Sequence, residues 1–198
     1  MTFPRGDSLT GMGRIVSNFF ISLDGVVESP DQWHFDYFSD EMGAVIGSGM
    51  ATCAGFLMGR KLYEEWSAYW TTNTDDDGFG PFINAIPKYV VSTTLTEATW
   101  HNTTLVTGTP EEIQTQLSEI RASADGDIGV SGSATLVRSL LAMGLLDTLA
   151  LLVHPVAVGS GDRLFQDSPK IPLRLLSSTT IEHGVLHLEY TPAEQPQP

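Results

Sequence analysis

Asp127-Ile-Gly-Val-Ser-Gly-Ser-Ala-Thr135 runs straight into Leu-Val-Arg-Ser-Leu-Leu-Ala-Met143, and the reading of this stretch decides the fold. Asp127 to Val130 has the apolar, β-branched character of a buried strand. Leu136, Val137, Leu140 and Leu141 then recur at helical spacing, which predicts a helix from Ser131 to Met143. Gly144 suits its left-handed end. A strand that passes directly into a helix through Gly, Ser and Ala is the unit of a parallel α/β sheet. Small residues at such a corner let a ligand approach the backbone, and the helix start offers free N–H groups with partial positive charge. The same residues also suit tight packing with no ligand at all.

Working outward, residues 14–23 read as a strand that stops at the turn pair Asp24-Gly25. Ser39-Asp40-Glu41 supplies an N-cap and an acidic first turn for a helix running toward Cys53. A short strand from Gly55 to Met58, a helix from Arg60 to Tyr69, and strands at Tyr89–Ser92 and Thr103–Val106 follow. Thr109 and Glu112 form a capping box around Pro110, ahead of the shared apolar face of Ile113, Leu117 and Ile120. Leu149 to Val158 is nearly all apolar, as in a strand covered on both faces. Two further strands are expected at about 171–177 and 184–191. Strands alternating with helices, then strands alone, imply an α/β fold with a mixed, mostly parallel sheet and an antiparallel C-terminal end. Thr71 to Pro81, with Asp75-Asp76-Asp77-Gly78, reads as a solvated polar loop. Residues 1–12 and 192–198 read as disordered extensions around a single domain at 13–191.

The 198-residue chain carries 10 basic and 24 acidic residues, a formal charge of −14. Such a surface repels nucleic-acid phosphates and anionic lipid, so neither is an expected partner. No apolar run approaches the ~18 residues that span a bilayer. A lone cysteine, Cys53, and an N-terminus without an apolar signal region lead to the expectation of a cytoplasmic protein with a buried, inert thiol. P-loop and nucleophile-elbow motifs are absent. His183 and His187 share half of a zinc motif, but on a strand they would stand about 13 Å apart. His34, His101 and His154 are isolated in sequence, so no metal is expected.

Two more corners repeat the physics of the first. Met58-Gly59-Arg60-Lys61 joins a strand to a helix start beside the only adjacent basic pair in the chain, and Ser92-Thr93-Thr94 follows a strand end with three hydroxyls. All three corners fall at carboxyl ends of expected parallel strands, where α/β sheets bind ligands. An elongated anion with several phosphates, a dinucleotide, accounts for the three together.

The order of Ser22-Leu-Asp-Gly-Val-Val27, Leu57-Met-Gly-Arg-Lys-Leu-Tyr-Glu64, Lys88-Tyr-Val-Val-Ser-Thr-Thr94, Gly129-Val-Ser-Gly-Ser-Ala-Thr135 and His154-Pro-Val-Ala-Val-Gly-Ser-Gly-Asp-Arg-Leu-Phe165 resembles the dihydrofolate-reductase-like superfamily. Within it, the chain is most similar to the C-terminal reductase domain of the riboflavin-biosynthesis deaminase–reductase and its stand-alone relatives, over about residues 13–191. The resemblance implies a three-layer fold around a sheet of about eight strands, an NADPH-dependent reductase of a small molecule, and a homodimer. It places phosphate-binding positions at Gly59, Arg60, Lys61, Ser92, Thr93, Thr94, Gly132, Ser133, Ala134 and Thr135. It sets the nicotinamide against Phe20, Ile21 and Val27, and draws the substrate pocket from Ser22, Trp33 and Phe38. Asp24 is the candidate proton donor, directly or through a water, and is equally read as a plain turn residue. The segment from Val26 to Glu41 has five acids and no Lys or Arg, which points away from a phosphorylated substrate and toward a small, uncharged heteroaromatic or carbonyl compound. The alternative is a cofactor-binding module of the same fold without catalysis.

Overall fold

Eight strands among the described residues, 13–73 and 78–193 of this computed structural model, form one sheet in the order β4-β3-β2-β5-β1-β6-β8-β7. They are β1 (Ile15–Ser22), β2 (Cys53–Gly59), β3 (Lys88–Val91), β4 (Thr103–Val106), β5 (Asp127–Ser131), β6 (Thr148–His154), β7 (Leu173–Thr180) and β8 (Leu186–Pro192). The pairings from β4 through β6 are parallel, and β8 and β7 are added antiparallel. The expected mixed sheet with an antiparallel C-terminal end is therefore present.

Helices α1 (Asp40–Thr52), α2 (Arg60–Trp70), α3 (Phe79–Ala85), α4 (Pro110–Ser123) and α5 (Ala134–Ala142) cover its faces. Leu57, Val130 and Ile21 pack with Ile113, Leu117, Val137 and Leu140 of α4 and α5. On the opposite face Phe56, Met58 and Val90 pack with Tyr63 of α2 and Ile83 of α3, and Leu152 with Met42 of α1. Alternating strand residues thus feed two layers of helices, a three-layer sandwich.

Helix starts fall where the caps place them. Ser39 Oγ accepts from Met42 N, and Thr109 and Glu112 close a reciprocal capping box. Several boundaries differ from expectation. Gly132 and Ser133 both take left-handed backbone (φ 63° and 54°), so α5 starts at Ala134 and not at Ser131. Strand β6 stops at His154 because Pro155 has no N–H to continue the ladder. His183 and Gly184, at φ 60° and 76°, make the reversal between β7 and β8, so His183 sits in a turn and not on a strand beside His187. The sheet reaches past residue 191, through Pro192, with Ala193 N donating to Pro172 O. Helix α3 begins inside the stretch read as loop; the acidic run Asp75–Asp77 itself lies outside the described residues.

Lys88 is fully buried at the start of β3. Its Nζ donates to the carbonyls of Ile83 and Ile86 at 2.8 and 2.9 Å and lies 4.7 Å from the centre of the Trp100 ring. The ammonium caps the end of α3, and burial pushes its pKa down to about 8. No helix among the described residues is long and apolar enough to cross a membrane.

Candidate active site

A cleft of about 1040 Å³ opens at the carboxyl edge of the sheet, between the ends of β1, β2 and β5. Two of the three small-residue corners form one end of it. Gly59 and Ser133 meet there so closely that a Cβ on Gly59 would stand 2.5 Å from Ser133 Oγ. The β2–α2 and β5–α5 corners therefore approach closely here, and a side chain at position 59 would have to turn the Ser133 hydroxyl aside. Neither α2 nor α5 has a side-chain cap or an acid in its first turn. The free amides of both helix starts, with Arg60 and Lys61, make this end electropositive in an acidic protein.

The cations here are unevenly committed. Arg60 Nη1 bonds both oxygens of Glu64, one turn along α2, at 3.0 and 2.9 Å, and both partners are half exposed. Arg138 donates to the carbonyls of Arg163 and Leu164 at 3.1 and 3.0 Å and to Thr135 Oγ1 at 3.2 Å, tying α5 to the loop after β6. Gly132, Ser133, Ala134 and Thr135 all line the cleft. The third corner adjoins without lining it. Gly59 pairs with Val91, so Ser92, Thr93 and Thr94 follow directly beside the start of α2. Ser92 Oγ accepts from Thr94 N and Leu95 N and thereby shapes its own loop.

The turn after β1 is held by its own polar groups. Ser22 Oγ donates to Asp24 Oδ1 at 2.7 Å and accepts from Val26 N at 2.9 Å. Asp24 also accepts from Val158 N and Gly159 N at 3.0 and 2.9 Å, with Arg163 Nη2 at 3.4 Å. The Ser22 hydroxyl and the two amides hold its carboxyl well below the usual carboxylate range. With these contacts the Asp24 carboxylate anchors the turn, in keeping with the turn-residue reading of the sequence. Ser22 is likewise turned inward, 1% exposed, and does not face the cleft. Val27 N→Asp162 O and Leu164 N→Gly25 O zip this turn onto the loop after β6. Phe20 and Val27 line the cleft, while Ile21, on the other face of β1, belongs to the core.

At the other end of the cleft, the structure brings together residues that sequence reasoning left apart. His34 and His154 lie with ring centres 6.1 Å apart, nearly perpendicular. Phe20 stacks on His34 at 4.4 Å, and Phe35 covers it at 4.1 Å. Trp33 and Tyr37 meet the His154 ring edge-on at 5.2 and 5.7 Å, and Phe38 approaches His34 at 6.3 Å. Trp33 and Phe38 therefore serve as walls of this aromatic group and do not line the cleft itself, whereas His34 does. Burial lowers the pKa of both imidazoles; His154 lowers that of His34 further, against an opposing pull from Asp31. Burial thus favours the neutral form of both rings. Among the described residues no three His, Cys, Asp or Glu side chains cluster as metal ligands. Cys53 is partly buried on β2, its thiol pKa pushed up by burial.

Comparison with known proteins gives a consistent picture. A family model, the RibD C-terminal domain, matches residues 14–187. The chain is 26% identical over 182 residues to the uncharacterized protein YyaP of Bacillus subtilis (strain 168), covering 89% of this chain and 94% of that one. A putative riboflavin biosynthesis protein from Shewanella sp. PV-4 superposes with a TM-score of 0.71 at 19% identity, over 91% of this chain and 99% of that one. The dihydrofolate reductase of Enterococcus faecalis, in complex with NADP(H) and RAB-propyl, superposes with a TM-score of 0.60 at 11% identity, over 93% and 99% of the two chains. The fold is thus the dihydrofolate-reductase-like one.

Proposed function

We propose, from the premise that this chain belongs to the RibD C-terminal domain family, that it is an NADPH-dependent reductase of a small, uncharged heteroaromatic or carbonyl compound. The observation that carries the reading is the interlocked pair of corners, Gly59 against Ser133, with two uncapped helix starts and Arg60 and Lys61 opening on one cleft. Such a cradle fits a polyphosphate. Gly59, Arg60 and Lys61 with Gly132 to Thr135 would hold the phosphates, and Ser92 to Thr94 adjoin them. The nicotinamide would lie toward Phe20 and Val27. When bound, the reduced nicotinamide would supply a hydride to the acceptor.

The chain's own part is positioning and exclusion of water. Asp24 and Arg163 fix the turn that presents Val27, and Phe20 carries the apolar wall on toward His34. Calorimetric titration with NADPH and NADH tests the reading: NADPH is expected to bind more tightly, with an advantage that salt erodes. Absence of binding by either cofactor would overturn it. We also propose a cytoplasmic homodimer. The edge strand β7 leaves Leu175 and Leu176 half exposed, an apolar edge that a second copy would cover. Light scattering that finds only monomer at micromolar concentration would refute this.

A further inference from the structure

Arg138 sits on the second turn of α5, partly buried, and lines the cleft. Neutral oxygens alone hold its guanidinium: Nη1 donates to Arg163 O and Leu164 O at 3.1 and 3.0 Å, and Nη2 to Thr135 Oγ1 at 3.2 Å. The other two arginines of the cleft each have a carboxylate, Arg60 on Glu64 and Arg163 on Asp24. Arg138 has none among the described residues. In a chain of formal charge −14, a cleft-lining cation whose charge stays uncompensated is an anion-binding group in waiting.

A guanidinium carries five N–H donors, and these contacts leave Nε and part of Nη2 unengaged among the described residues. Nε and Nη2 are the pair with which Arg14 grips the two oxygens of Asp127, at 2.8 and 2.7 Å. The loop after β6 fixes the other nitrogen, so the side chain is already ordered before a ligand arrives. Thr135 completes the arrangement. Its Oγ1 accepts from the guanidinium, and its own hydrogen has no acceptor among the described residues, so the hydroxyl has a donor to offer where Thr135 lines the cleft.

The sheet order tells which part of a ligand this pair would meet. Along the carboxyl edge the strands run β3, β2, β5, β1, so Ser92, Gly59, Ser133 and then Phe20 follow one another across it. Arg60 and Lys61 stand on the β2 side, at the start of α2, and Lys61 makes no ion pair among the described residues. Arg138 stands on the β1 side, tied to the segment 162–164 that is itself zipped onto the turn of Gly25 and Val27. Two phosphates in tandem would thus find a cation on either side of the Gly59–Ser133 contact. We propose that Arg138, with the Thr135 hydroxyl, binds the phosphate of the cofactor's pyrophosphate that lies nearer the nicotinamide. The proposal rests on the reductase reading and adds to it a charged side chain beyond the corner itself.

The probes are NADP+ and adenosine 2′,5′-bisphosphate, which keeps the adenosine half with one 5′-phosphate and lacks the second phosphate and the nicotinamide. Both are titrated calorimetrically into wild type, Arg138→Met, Arg138→Lys and Thr135→Val. Arg138→Met is expected to bind NADP+ about tenfold more weakly and the bisphosphate within about twofold of wild type. Arg138→Lys, which keeps the charge and loses the fork, should recover part of the NADP+ affinity. Thr135→Val should lose NADP+ affinity selectively and to a smaller extent. A residue that merely ties α5 to its neighbouring loop would lower both affinities alike or neither. Unchanged NADP+ affinity in Arg138→Met, or an equal loss of both probes, would therefore overturn the proposal and leave the reductase reading standing. If Arg138→Met does not fold, Arg138→Lys and Thr135→Val decide by the same selectivity. Wild-type protein that binds neither probe would overturn the reductase reading, and this proposal with it.

Discussion

One end of the cleft is built from backbone, the other from side chains. The Gly59–Ser133 end is made of turns and helix starts whose amides point outward whatever side chains surround them. The His34–His154 end is an assembly of rings from β1, β6 and the segment between Trp33 and Phe38, none of which would hold its place alone. A backbone site tolerates surface change and fails when a Cβ intrudes. A side-chain site fails when one ring is removed, and it can change its ligand without disturbing the fold. The first end thus suits the proposed cofactor, and the second the proposed substrate.

The sharpest way to break this comparison is His154→Ala. The ring is fully buried among Phe20, Trp33, His34 and Tyr37, so the cavity should cost about 2–4 kcal/mol of stability in urea denaturation. NADPH affinity of the folded fraction should stay within about twofold, since the other end is built independently. A comparable loss of cofactor binding would show that the two ends are one unit.

Gly59→Ala asks the reverse. Its Cβ would stand 2.5 Å from Ser133 Oγ, and turning that hydroxyl aside should cost about 1 kcal/mol, read chiefly as weaker NADPH binding. Adding Ser133→Ala removes the colliding hydroxyl and should recover most of the loss. Failure of that rescue would mean the glycine is needed for some reason other than the contact with Ser133.

The difference between the ends also explains what could be read from the sequence. Gly59-Arg60-Lys61 and Gly132-Ser133-Ala134-Thr135 are local: strand, small residues and helix start stand side by side in the chain, so corners and sheet edge were both legible. Caps such as Thr109 with Glu112 were legible for the same reason. His34 and His154 carry no local pattern, because their meeting depends on β1 lying beside β6, with Ser22 opposite His154. Only the aromatic richness of Trp33-His34-Phe35 hinted at it. The start of α5 was misplaced because the backbone at Ser133 is left-handed, which its residue type does not advertise. Asp24 was read as a donor or a turn residue; besides Ser22 in its own turn, it is held by Val158, Gly159 and Arg163 of the one loop after β6, which spacing arguments do not reach.

Arg60→Ala tests the cofactor end more gently. Arg60 already pairs with Glu64 across half-exposed surface, so a phosphate must compete for it. The substitution should narrow the preference for NADPH over NADH by about 1.5 kcal/mol, the low end for a charged hydrogen bond. Glu64→Gln, which frees the guanidinium, should widen it. Equal loss of both cofactors in Arg60→Ala would mean that Arg60 serves the shared phosphates and does not read the one that distinguishes NADPH.

The smallest effect expected is on pH dependence, and it separates the histidine end from the anchoring turn. Both imidazoles have folded pKa values below the ordinary one near 6.5, so the unfolded chain binds more protons as the pH falls below that value. Stability is therefore complete above about pH 6.5 and declines from there down toward the folded pKa values. Asp24 is lowered from a carboxylate value of 3.8, so its contribution persists until the pH falls below about 4. Urea midpoints between pH 7 and 4.5 should thus record the histidines without interference from Asp24. In His34→Gln the decline should be shallower, because one buried imidazole no longer resists protonation. An unchanged slope in the variant would mean that His34 is exposed enough in solution to titrate freely, and the side-chain end of the cleft would then be open rather than built.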